Sequence, residues 1–308
     1  MDGGNNMTLP NQTKCFIFGL QRSGSTLLHN IFKLHPDVYG TPNDLNLLDV
    51  SRKLFRIVSN GKQLRKMKEW QLEEFKDILN LLLSCRDDNY LFRELFELYF
   101  KGRSESILVH KNPKAEFELT LYRKIFPDSK FVFCIRNPIA IMASKKYWIE
   151  NKKSWNQKEN QDFDDILDLM KHMSKQMEVI YESFKIIDSV YEDEDVLGVV
   201  DYDRLIQETK FELKPIFSQL GIKLNLILEP MSKMRRPYTS YSENSKKVGM
   251  YNSSMIKWKT KLTKFEIDLI FNSMLKFVSE YKFKSEMIER TFNKYITSVK
   301  VITNKLEV

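Results

Sequence analysis

The chain runs to 308 residues, 42% of them hydrophobic and 29% charged, with 49 lysines and arginines against 41 acidic residues and a formal net charge of +8. This balance excludes disorder outside the termini and fits a globular protein with a sizeable core; no apolar run approaches the roughly 20 residues of a membrane span. Three widely spaced cysteines, Cys15, Cys85 and Cys134, suggest neither a disulfide framework nor a zinc site, and the excess of positive charge favours anionic ligands without saying which.

Residues 1–12 are polar and expected to be loosely held or disordered; they lack the basic start and apolar stretch of a signal peptide, so a cytoplasmic location is expected. Cys15 to Phe18 is a short apolar run that ends at Gly19, and residues 25–34 then carry apolar side chains at helical spacing. That predicts strand, tight loop, helix. Residues 44–105 read as a helical insertion, with Leu72, Phe75, Ile78, Leu79 and Leu82 along it, that packs on the sheet or covers a substrate. A second strand is predicted at Ile107 to Val109, leading through His110, Lys111, Asn112 and Pro113 into a helix toward Phe126. Lys130 to Ile135 is the third, with Pro138 placed to open the next helix, and Val196 to Val200 the fourth. Residues 145–161 read as a polar, basic loop or solvated surface, and 161–190 and 264–281 as amphipathic helices. Short strands alternating with helices imply an α/β fold: a central parallel sheet flanked by helices, in one domain over 1–308, with ligands at the carboxyl ends of the strands.

Each chemistry-bearing motif lies at such an end. Gly19-Leu20-Gln21-Arg22-Ser23-Gly24-Ser25-Thr26 follows a strand and opens a helix, so its backbone N–H groups can cradle a phosphate at the positive helix terminus. The triphosphate-binding form of this loop, Gly-x4-Gly-Lys-Ser/Thr, places a lysine after the second glycine. Here that position is Ser25, and the cation is Arg22. Lys111 stands at the second strand end and Arg136-Asn137-Pro138 at the third, with Ser144 eight residues after Arg136. Arg136 offers a planar fork suited to a phosphate, while Asn137 can cap the helix and Pro138 occupy its first turn.

These motifs, in this order, resemble the PAPS-dependent sulfotransferases, which use 3′-phosphoadenosine 5′-phosphosulfate as donor and have a P-loop-like fold. Gly19 to Thr26 is similar to their 5′-phosphosulfate loop. The continuation through His35-Pro36-Asp37-Val38 resembles bacterial, viral and protein-tyrosine members. Lys111-Asn112-Pro113 followed by Phe126-Pro127-Asp128-Ser129-Lys130-Phe131 matches their Lys-x-Pro segment, and Arg136 with Ser144 their 3′-phosphate signature. Ala140 departs from it, where many relatives are acidic.

The resemblance implies Arg22 and Lys111 as catalytic cations, and the N–H groups of Ser23, Gly24, Ser25 and Thr26 around the 5′-phosphate. It implies Arg136 and Ser144 at the 3′-phosphate, Tyr202 against the nucleotide, and Lys246, Lys247 and Gly249 in a late basic loop that closes over PAPS. The general base is open between Asp44 and His110. Pro113 stands where cytosolic sulfotransferases carry a histidine, and Asn43 where protein-tyrosine sulfotransferases carry a glutamate. The bisphosphate leaving group is already a good one and the four histidines are scattered, so no metal is expected. The acceptor is a hydroxyl or amine of a glycan, tyrosine, lipid or small metabolite; nucleic acid is not expected as a partner, and the oligomeric state is open. Two other classes compete: a P-loop nucleotide kinase or hydrolase, with Val196 to Asp201 imitating a Walker B strand, and a non-enzymatic polyanion binder. The missing loop lysine and the Arg136 signature weigh against the first, and the lack of any nucleic-acid motif against the second.

Overall fold

The structure is a computed structural model that describes residues 12–43, 45–59, 87–153, 166–234 and 258–303. Asp44, Cys85, Lys246, Lys247 and Gly249, with most of the expected N-terminal tail and the middle of the helical insertion, lie outside the described residues.

Strands β1 (Thr13–Gly19), β2 (Val38–Gly40), β3 (Ile107–Pro113), β4 (Lys130–Ile135) and β5 (Val196–Asp201) form one sheet in the order β2-β3-β1-β4-β5. Every neighbouring pair is parallel. β1 and β4 are buried on both faces, which is why they read as unbroken apolar runs. Alternation along β1 sends Phe16 and Phe18 into one core and Cys15 and Ile17 into the other. On the Phe16 side lie α2 (Leu47–Ser59), α3 (Asp88–Phe100), α4 (Leu119–Ile125), α5 (Pro138–Lys153) and α6 (Ile166–Val190), and further along the chain α11 (Lys264–Glu280) and α12 (Glu286–Thr303). On the Ile17 side lie α1 (Ser25–Phe32), α7 (Tyr202–Gln207), α8 (Thr209–Gln219) and α9 (Asn225–Lys233). The short α10 is Trp258–Lys261.

The register aligns Gly19 with Pro113 and Ile135 with Asp201, so the ends of β1, β3, β4 and β5 open onto one edge. Four differences from the sequence reading bear on the site. β2 is too short, at three residues, to show a strand period. β3 continues to Pro113, so His110 and Lys111 are strand neighbours whose side chains leave on opposite faces. α5 runs to Lys153, where a loop from residue 145 was one expectation, because no glycine or proline interrupts the turns after Pro138. α12 was not expected at all. Helices fill both described parts of the insertion: Asp87 caps α3 by accepting from the Tyr90 N–H at 2.7 Å.

Candidate functional site

The loop between β1 and α1 is built on backbone conformations that few side chains tolerate. Gly24, at the N-cap of α1, has φ 106°, and Gly19 has φ 145° with a Cβ position only 2.4 Å from the Cys134 carbonyl oxygen. Arg22 itself sits at φ 76°, in the left-handed region that non-glycine residues rarely occupy. No side chain caps α1, so the N–H groups at its start stay available to an anion. Of the four N–H groups expected in the cradle, that of Ser23 is spent within the loop, donating to the Leu20 carbonyl at 3.0 Å. Gly24, Ser25 and Thr26 are left at the helix start.

Four of the predicted residues, far apart in sequence, meet around this loop. Arg22 donates from Nε to the Ser144 hydroxyl at 2.9 Å, and Arg136 donates from Nη1 to the Arg22 carbonyl at 3.0 Å. Arg136 lies 4.3 Å from the centroid of the Tyr202 ring, measured from Cζ, a cation-π distance. The same ring fills the space a Cβ on Gly24 would need, 2.1 Å from Tyr202 Cδ2. Ser144, which the resemblance puts at the 3′-phosphate with Arg136, accepts here from Arg22. Burial, then the neighbouring Arg136, lowers the Arg22 pKa from its ordinary value, against an opposing pull from Tyr202. Two guanidinium groups this close are poised for an anion.

From the neighbouring strand Lys111 donates from Nζ to the Thr26 hydroxyl at 3.3 Å, which brings a further cation to the first turn of α1. Lys111 also lines a cleft of about 480 Å³ whose other walls include Gln21, Asn43, Asn46, Asp49, Arg52 and Glu118. α2 forms one wall: Arg52 donates to Glu118 at 3.1 Å, and Asn46 donates to Asp49 at 2.7 Å.

His110 is where the site and the sequence reading part. It is fully buried, packs edge-on against Phe16 and Phe96, and has Nδ1 3.0 Å from the Thr41 hydroxyl. Burial, His29 and Lys111 push its pKa down to about 3, and burial pushes His29, 3.1 Å from Asn43, to about 4. Both imidazoles are neutral core groups at ordinary pH, and His110 turns away from Lys111.

At the fourth strand end Asp201 caps α7, its Oδ1 accepting from the Asp203 N–H at 3.0 Å. The same oxygen accepts from the Tyr295 hydroxyl at 2.7 Å. The strand resembling a Walker B strand thus ends in a carboxylate engaged in a cap. Tyr295 went unnoticed in the sequence, although the spacing of Ile288, Phe292, Tyr295 and Val299, all at most 2% exposed, is a helical stripe that could have revealed α12.

The model of the "Sulfotransferase family" matches residues 15–225, which includes every strand of the sheet except the first two residues of β1. The chain belongs to the sulfotransferase family. In solved structures the sulfotransferase is similar to the sulfotransferase domain of the Synechococcus PCC 7002 olefin synthase, with a TM-score of 0.55 and 17% identity over 85% of this chain and 94% of that one. It is also similar to mouse sulfotransferase SULT7A1 complexed with PAP, with a TM-score of 0.50 and 12% identity over 92% of this chain and 88% of that one. At these identities the likeness speaks for the fold. Among curated proteins, the nodulation protein NoeE of Sinorhizobium fredii is 26% identical over 136 residues, 43% of this chain. The matched stretch spans 30% of that protein's length. Among the described residues of the sulfotransferase, no group of three or more His, Cys, Asp or Glu is placed to hold a metal ion, and no helix is long and apolar enough to cross a membrane.

Proposed function

We propose that the protein transfers a sulfuryl group from PAPS to a hydroxyl or amine, and that the observation carrying this is the joined cluster of Arg22, Arg136, Ser144 and Tyr202 at the uncapped start of α1. PAPS bears phosphates at both ends of its ribose, and the cluster supplies two guanidinium groups beside a helix N-terminus. The bound PAP of the mouse neighbour supports the same donor class. The N–H groups of Gly24 to Thr26 hold the 5′-phosphate and Arg136 the 3′-phosphate. Arg22 and Lys111 flank the sulfuryl group, where they stabilise charge on its oxygens and on the leaving phosphate oxygen. The acceptor oxygen or nitrogen forms its bond to sulfur as the sulfur–oxygen bond to the phosphate breaks, releasing adenosine 3′,5′-bisphosphate. The acceptor proton goes to a base. Asp49 and Glu118, the carboxylates lining the cleft beside Lys111, take that role in place of His110.

The cleft's described walls carry four carboxamides, three cations and two carboxylates and hold no aromatic ring. Such a lining suits a polar, hydroxyl-bearing acceptor, a glycan or a small polar metabolite, better than a lipid.

Arg136→Ala tests the donor assignment. A charge-assisted hydrogen bond contributes roughly 1.5–3 kcal/mol, so affinity for adenosine 3′,5′-bisphosphate should fall by about tenfold or more. Adenosine 5′-monophosphate, which lacks the 3′-phosphate, should lose less than about twofold. Calorimetry of both nucleotides against both proteins reads the difference. Equal losses would mean that Arg136 acts by supporting the Arg22 carbonyl, and the 3′-phosphate assignment would fall.

A further inference from the structure

We infer that the C-terminal helix α12 is part of the nucleotide site, with Tyr295 as a positioning residue that sets Tyr202 and, through it, Arg136. The inference rests on the reading of Arg136 as the 3′-phosphate group. The family match stops at residue 225, well before α12, so the match assigns this helix no role.

α12 nonetheless reaches two of the strand ends that build the site. Its Tyr295 hydroxyl donates to Asp201 Oδ1 at 2.7 Å, and its Ser298 hydroxyl accepts from Asn137 Nδ2 at 3.3 Å. Asp201 is the last residue of β5, and Asn137 directly follows Arg136. The phenol and the α7 cap share one oxygen of Asp201, so the bond that fixes the start of α7 is tied to α12. The first residue of α7 is Tyr202, whose ring lies under the Arg136 guanidinium and against Gly24. A displacement of Asp201 is therefore passed to the guanidinium and to the phosphate loop within one residue.

Phenylalanine would fill the same space in the core, so packing alone does not account for the tyrosine. Asp201 is 2% exposed; burial raises its pKa, and the Tyr295 bond acts against that rise by favouring the carboxylate that serves as the cap. What holds α12 in place lies elsewhere. Asp188 of α6 accepts from the Tyr281 hydroxyl at 2.8 Å and from the N–H groups of Lys284 and Ser285 at 2.8 and 2.9 Å. That pins the turn leading into α12, and Phe292 packs edge-on against Phe184 at 5.0 Å. Tyr295 is thus presented to Asp201 from a fixed core.

Calorimetry on the full chain separates positioning from plain stabilisation. Tyr295→Phe should weaken adenosine 3′,5′-bisphosphate binding by about fivefold, the scale of one hydrogen bond felt at the ligand, and adenosine 5′-monophosphate binding by less than about twofold. Tyr181→Phe is the control: it removes a part-buried 2.8 Å hydroxyl bond to Ser273, between α6 and α11, and should lower the unfolding midpoint while leaving both affinities unchanged. Bisphosphate affinity in Tyr295→Phe within twofold of the parent would overturn the proposal. So would equal losses for the two nucleotides, or the same selective loss in Tyr181→Phe. A parent protein that binds no bisphosphate at all would instead overturn the donor assignment beneath it.

Discussion

Lys111→Ala and Arg22→Ala should each lower the single-turnover rate of sulfuryl transfer by about a hundredfold or more, the scale of losing one preorganised group that stabilises charge in the transition state. Lys111 is 7% exposed and its ammonium stands at the first turn of α1, so water cannot readily substitute for it. Arg22 is held by its own bond to Ser144 and leaves a left-handed backbone. Affinity for the desulfated bisphosphate should fall far less than the rate, because the lost interaction is made with the group in flight. Rapid-quench kinetics with radiolabelled PAPS, alongside calorimetry, measures both quantities. A rate within a few-fold of the parent in either variant would remove that residue from the chemistry.

Gly24→Ala should weaken bisphosphate binding by at least about tenfold, through two physical effects. The backbone at φ 106° disfavours any Cβ, at a cost of order 1–2 kcal/mol, and this Cβ lands 2.1 Å from the Tyr202 ring. Either the helix start moves or the ring does, and the ring is the one against which Arg136 lies. A double-mutant cycle with Tyr202→Ala isolates the clash. In the Tyr202→Ala background, Gly24→Ala should cost only its backbone strain. Equal effects in both backgrounds would show that the ring does not couple the loop to Arg136.

The sheet was legible because its strands are apolar on both faces and end in glycine, proline or charge, as in Phe16-Ile17-Phe18-Gly19 and Phe131 to Arg136. The strand-end motifs were legible because a phosphate loop and an Arg-Asn-Pro helix start are local in sequence. Their wiring was not. Ser144 bonding to Arg22, and Arg136 bonding back to the Arg22 carbonyl, depend on how β1 and β4 lie side by side, which residue spacing does not encode. His110 lies buried in the core for a related reason: the strand extends past Val109, and one position along a strand reverses the face. Tyr295 was missed because its meaning lies wholly in a partner 94 residues away.

Sulfuryl transfer from PAPS is tested by supplying the purified protein with two labelled donors in parallel. One arm contains PAPS carrying labelled sulfur and an acceptor pool of glycans and polar metabolites, with magnesium removed by a chelator. The other contains ATP labelled at the γ-phosphate, with magnesium and the same pool. Label should appear in an acceptor, with stoichiometric release of adenosine 3′,5′-bisphosphate, in the first arm alone. Phosphate label in an acceptor, or in free phosphate, in the second arm alone would make the protein a nucleotide kinase or hydrolase and rule out PAPS as its donor.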